Sequence, residues 1–101
     1  MNELEAARNE ISRIDKEMAK LFEQRMQACA AIAEYKKQHG LSVKDPVREK
    51  ELIDRNRALI ESADIESYYV QFLKKTIGLS CEYQSKLLNG MKVTYSGVEG
   101  A

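Results

Sequence analysis

The sequence predicts an all-α protein of three helices, completed as an intertwined helical homodimer. Three observations carry that expectation. First, the stretch 4–38 contains neither Gly nor Pro, and its apolar residues Leu4, Ala7, Ile11, Ile14, Met18, Leu21, Ala28, Ile32 and Tyr35 recur at spacings of three and four. That is one helix face held for about five heptads. Second, the only proline, Pro46, directly follows Asp45, the pairing of an N-cap with a proline at the first helical position. Third, Ile65, Tyr69, Phe72, Ile77, Tyr83 and Leu87 form a last apolar face before Asn89-Gly90.

The first helix is expected over residues 2–39. Gly40 is a natural stop, and Lys36, Lys37 and His39 suit the negative end of the helix dipole. Such a helix is about 55 Å long, whereas a compact chain of this size has a radius of gyration of about 13 Å. One end must project, and it carries Leu4, Ile11 and Ile14, which need a cover. The economical cover is a second copy of the chain, hence an obligate homodimer.

A loop follows over 40–44. The second helix is expected over 46–61, with Glu49 and Glu51 in its early turns and Leu52, Ile53, Leu59 and Ile60 buried. The turn 62–64 offers two possible N-caps. The third helix is expected over 65–88, where Gly78 either costs about 1 kcal/mol or allows a close backbone approach. Residues 91–95 read as a short strand and 96–101 as a glycine-containing loop. A helical domain over 1–90 is thus expected, followed over 91–101 by a linker and the truncated start of another domain.

Sixteen basic and sixteen acidic residues cancel, so global charge gives no case for nucleic acid or an anionic membrane, and any anion site must be built locally. No apolar run approaches the roughly 20 residues that span a bilayer, and no signal peptide is expected ahead of Leu4. Cys29 and Cys81 lack metal-ligand spacing and read as reduced core thiols. A cytoplasmic protein is expected. With His39 the only histidine, neither a His-based metal cluster nor a triad is expected.

Polar residues on apolar faces carry the functional signal. Arg25 interrupts the seam of the first helix. Lys36 lies eleven residues on, within about 20° of the same line and roughly 16 Å along the axis. Asp45, Arg48 and Glu49 share a face that continues into Leu52. Ser80 and Gln84 form an i, i+4 pair flanked by Ile77, Tyr83 and Leu87. Taken singly, Arg25 is a register device or a snorkelling side chain, and Arg8, Lys36, Arg48 and Glu49 are solvated charges. Taken together, three helices each bring polar groups toward an interior, and the several cations among them need internal acids or an anionic ligand, because an unpaired buried cation is costly.

The local strings Arg8-x-x-Ile11-x-x-Ile14-Asp15, Asp45-Pro46-x-Arg48-Glu49 and Ser80-x-x-x-Gln84, with Arg25 and Lys36 between them, resemble the all-helical class of chorismate mutase over residues 4–88. The tail 93–101 resembles the first strand and loop of prephenate dehydratase, which is fused behind a mutase domain in bifunctional proteins of phenylalanine synthesis. The resemblance implies an isomerase of the shikimate pathway that converts chorismate to prephenate by a unimolecular Claisen rearrangement, with no metal and no cofactor. It also implies the residue roles. Arg25 and Arg8 would bind the substrate carboxylates, with Ser80 assisting. Lys36 would reach the ether oxygen and a neighbouring carboxylate. Gln84 would donate its amide N–H to the same oxygen, making Lys36, Gln84 and Arg25 the catalytic set. Glu49 and the helix start at Asp45 would hold the ring hydroxyl, and Arg48 would orient Glu49. An alignment with a one-residue gap in the turn before the third helix selects Ser80 and Gln84; without it Cys81 and Ser85 would take their places. Arg8 and Arg25 lie about 25 Å apart on one rod, so Arg8 is expected from the partner chain. The alternatives are an isochorismate-pyruvate lyase on the same fold and a non-catalytic helical dimerisation or regulatory module.

Overall fold

The computed structural model describes residues 2–89. They form α1 (Glu3–His39), α2 (Pro46–Arg57) and α3 (Ala63–Leu88), with no strand among the described residues. The all-α expectation holds. The expected domain start at 91–101 lies outside the described residues.

The ends of α1 follow local chemistry. The Asn2 side chain accepts from the Glu5 N–H at 2.8 Å while Glu5 Oε1 accepts from the Asn2 N–H at 3.3 Å, a reciprocal capping box. At the other end Gly40 turns left-handed at φ 65°, and Leu41 N–H closes onto the Lys36 carbonyl at 2.8 Å. Asp45 caps α2 by accepting from the Arg48 N–H at 3.1 Å, with Pro46 at the first position.

Two boundaries differ from the sequence reading. The second helix stops at Arg57 rather than 61. Leu59 and Ile60 turn their N–H groups onto the carbonyls of Asn56 and Arg57, three residues back, and Arg57 Nε is held by Glu66 of α3 at 2.8 Å. The chain thus leaves the α2 axis in these turns and enters α3. The third helix starts at Ala63, earlier than 65. Ser62 stands at the N-cap position through its carbonyl, which accepts from Ile65 and Glu66, and its side chain makes no cap bond.

Packing is organised by α3, which lies against both α1 and α2. The buried apolar set is small: Cys29 and Ala33 from α1, Leu73 and Ile77 from α3. The described structure measures 52 × 29 × 20 Å with a radius of gyration of 17.4 Å, well beyond the roughly 13 Å of a compact chain of this length. Residues 3–24 of α1 are all exposed. Leu4, Ile11, Ile14, Met18 and Leu21 are therefore uncovered within one chain, and so are Leu59, Ile65 and Phe72, which the sequence placed in the core. Tyr69, Tyr83 and Leu87 are half-buried. Gly78 makes no close approach: a Cβ built there meets nothing within 4 Å.

Candidate active site

The covered end of the molecule holds a cavity of about 240 Å³ among α1, the α1–α2 loop, α2 and α3. Arg25 and Lys36 enter it from α1, Asp45, Arg48 and Glu49 from the start of α2, and Ser80 and Gln84 from α3. Seven of the eight residues singled out by sequence are therefore brought to one wall-to-wall site. The eighth, Arg8, is not; it stands on the uncovered part of α1.

The helical periods explain this convergence. Arg25, Cys29, Ile32 and Lys36 follow one another by three or four residues along α1, and along α3 both Ser80 and Cys81 lie three or four residues from Ile77 and from Gln84. Small side chains at Cys29 and Ala33 are buried between the two charged positions, so the cations are carried on a packed, rigid surface. Ser80 and Gln84 are the only buried polar residues among those described, at 4% and 7% exposure. Ser85 does not line the cavity.

The hydrogen bonds orient each group. Arg25 Nη1 donates to Ser80 Oγ, and Ser80 Oγ in turn donates to the Thr76 carbonyl at 2.9 Å. Lys36 Nζ donates to the Val43 carbonyl at 2.9 Å and to Gln84 Oε1 at 3.3 Å. An ammonium has three N–H groups, so one remains for the cavity. With Oε1 of Gln84 engaged, its Nε2 also remains a free donor among the described residues. Glu49 Oε2 is held by Lys44 Nζ at 3.4 Å and faces Cys81 Sγ at 3.9 Å. Arg48, expected to orient Glu49, makes no ion pair with it; Lys44 does so instead.

Charge is unbalanced here. Arg25, Lys36 and Arg48 line the cavity without an ion-pair partner among the described residues, against two acids, Asp45, whose side chain caps α2, and Glu49, already matched by Lys44. The cavity is thus a cationic pocket with orphan N–H donors, the arrangement that takes up carboxylates. Cys81, expected in the core, is a half-buried wall residue, and its thiol is pushed above the ordinary range, first by burial and then by the Glu49 charge, with Lys44 and Lys36 pulling weakly the other way.

The sequence model of the family described as Chorismate mutase type II matches residues 7–85. The chain belongs to the chorismate mutase type II family. It is 33% identical over 66 residues to the chorismate mutase of Methanocaldococcus jannaschii, covering 65% of this chain and 67% of that protein. It is 27% identical over 94 residues to the T-protein of Haemophilus influenzae, covering 88% of this chain and 25% of that one. The chain thus spans a quarter of the length of the T-protein. No solved structure matches it at a significant level.

Within this chorismate mutase fold, sequence reasoning overlooked the Val43 carbonyl and Lys44, and it read Cys29 and Cys81 as core thiols, with Cys81 in the site only if the alignment gap is absent, whereas both line the cavity. The two cysteines carried a signal: each lies four residues from a flagged polar position on the same face (Arg25 for Cys29) or three from Gln84 for Cys81. The loop contacts carried none, because a loop backbone has no side-chain period. Among the described residues, no group of three His, Cys, Asp or Glu could hold a metal, and no helix is long and apolar enough to cross a membrane.

Proposed function

We propose that the chain rearranges chorismate to prephenate in aromatic amino-acid synthesis, using two equivalent sites per homodimer. The observation that carries the proposal is the Lys36–Gln84 pair on the floor of a cationic cavity. The rearrangement breaks a C–O bond while a C–C bond forms, within one molecule. What it needs is a compact substrate conformer and stabilisation of the negative charge that grows on the ether oxygen.

The available groups match those needs. Arg25, braced by Ser80, presents a guanidinium fork to one carboxylate of the substrate. The remaining N–H of Lys36 and the Nε2 of Gln84 converge on the ether oxygen from two helices. Both donors are fixed before reaction, so little reorganisation accompanies charge development. Glu49 accepts from the ring hydroxyl, beside the N-terminal end of α2 at Asp45, and Arg48 adds positive potential at the mouth.

A second carboxylate needs a further cation. Arg8 supplies it from a partner chain, because it is about 25 Å along α1 from Arg25. Its own half of α1 exposes Leu4, Ile11, Ile14, Met18 and Leu21, an apolar stripe that a second copy of the same helix covers. The free thiols Cys29 and Cys81 support a cytoplasmic location.

The test is chorismate consumption with product identification. Stoichiometric prephenate is the expected result. Release of pyruvate would favour the lyase reading, and no consumption with an intact fold would overturn catalysis.

A further inference from the structure

We propose that Lys44 and Cys81 are positioning residues for Glu49: both address one oxygen of its carboxylate and leave the other facing the cavity. Lys44 Nζ lies 3.4 Å from Glu49 Oε2, and Cys81 Sγ lies 3.9 Å from the same Oε2. They reach it from different elements, the α1–α2 loop and α3, so between them they fix the rotation of the carboxylate about its Cγ–Cδ bond. Oε1 is then the free acceptor, and Glu49 is only 26% exposed on its side chain, so few other rotations are open to it. The inference rests on the reading in which Glu49 accepts the substrate's ring hydroxyl.

The two partners act differently. Lys44 is 71% exposed on its side chain and supplies charge from the solvent edge, where it is screened. Cys81 is a neutral donor from the wall. Burial and the Glu49 charge both favour its protonated form, which keeps the S–H available to donate. The groups facing the thiol are Glu49 from α2, Lys44 from the loop and Lys36 from α1. A neutral donor at this place spares the site a further charge beside the substrate dianion, and the loop cation holds the same carboxylate oxygen from the solvent side.

Because the ring hydroxyl persists from substrate to transition state, its hold on Glu49 is uniform binding, which moves KM more than kcat. Lys44→Met and Cys81→Ala should each raise KM for chorismate about three- to tenfold, in the range of one weakened charged hydrogen bond, with kcat within about threefold of wild type. Cys81→Ser, which restores an O–H donor, should recover part of the loss. With a substrate analogue lacking the ring hydroxyl, wild type and variants should have the same KM. KM values within twofold of wild type on chorismate, or equal penalties on the deoxy analogue, would overturn the assignment.

A second readout needs no turnover. The infrared S–H stretch of Cys81, identified by its loss in Cys81→Ala, should move to higher frequency in Glu49→Ala, because the acceptor is gone. An unmoved band refutes the contact. If wild type consumes no chorismate but the band moves, the mutase reading falls and the Cys81–Glu49 pair stands.

Discussion

The Lys36 ammonium lies 3.3 Å from Gln84 Oε1, linking the C-terminal part of α1 to the C-terminal part of α3. The contact has a direction: Lys36 donates, so the Gln84 amide must present its N–H side to the cavity. A second bond, from Nζ to the Val43 carbonyl at 2.9 Å, leaves one ammonium N–H pointing the same way. Removing either donor should cost about 10² to 10³ in kcat. Lys36→Ala and Gln84→Ala, measured by chorismate disappearance with the helical circular dichroism unchanged, should both show that loss.

Gln84→Glu tests the donor role by charge. A carboxylate can accept but cannot donate until it is protonated. Beside Lys36 it forms an ion pair, which favours the ionised form. Turnover of this variant should therefore be low at neutral pH and rise as pH falls, whereas wild type should not need acid for this position. Near-wild-type turnover of Gln84→Glu at about pH 7 to 8, where the carboxylate is ionised, would remove Gln84 from the ether oxygen.

The helices and the cavity residues were legible in the sequence for different reasons. Helix existence followed from apolar period and from Asp45-Pro46 and Gly40, which act within a few residues. Arg25, Lys36, Ser80 and Gln84 stood out because they interrupt apolar faces, and a polar residue on such a face must be satisfied by something. Periodicity does not say which chain covers a face. Ile11 and Cys29 belong to equally regular patterns, yet Cys29 is buried and Ile11 is 56% exposed in the single chain. The end of α2 was missed because Leu59 and Ile60 continue the apolar spacing, while the backbone there tightens into turns onto the Asn56 and Arg57 carbonyls, which side-chain spacing does not encode. Lys44 was illegible because its role depends on a loop path.

Gly78 and Gly40 separate two kinds of glycine. Gly78 is inside α3 with open space where a Cβ would go, so Gly78→Ala should stabilise by about 1 kcal/mol through helix propensity and a less disordered unfolded state. Gly40 has φ 65° and also has open space, so Gly40→Ala should destabilise by about 1 to 2 kcal/mol from backbone strain alone. Thermal unfolding of the two variants should shift in opposite directions by several degrees.

The Cys81 thiol gives a pH signature. Its folded value is raised above the ordinary thiol range, chiefly by burial. The folded state thus holds this proton more tightly than the unfolded chain. The stabilisation is fully present below the unfolded value of about 8.5 and is lost as pH rises through the folded value. Wild type should lose stability between pH 8 and pH 10 more steeply than Cys81→Ala. Lysines and tyrosines titrate in both proteins, so the difference in slope isolates the thiol; parallel curves would mean that Cys81 is not held protonated by the fold.

Arg8 decides whether the site is shared. In an Arg8→Ala chain the cavity keeps Lys36 but would receive no cation from a partner of the same kind. In a Lys36→Ala chain the cavity lacks its ether-oxygen donor but the chain can still lend Arg8. Each homodimer should be inactive. In a heterodimer, the cavity of the Arg8→Ala chain receives Arg8 from the other subunit and is whole, and the second cavity is doubly damaged. Equal amounts, exchanged to equilibrium, give half heterodimers with one good site of two, so activity should return to roughly one quarter of wild type. Native mass spectrometry would establish that exchange took place. Recovery near that level requires Arg8 to act across the interface, because no arrangement within a single chain can bring it to a cavity about 25 Å away along a rigid helix; exchange without recovery would place the second carboxylate's cation elsewhere, with Arg48 the candidate already at the mouth.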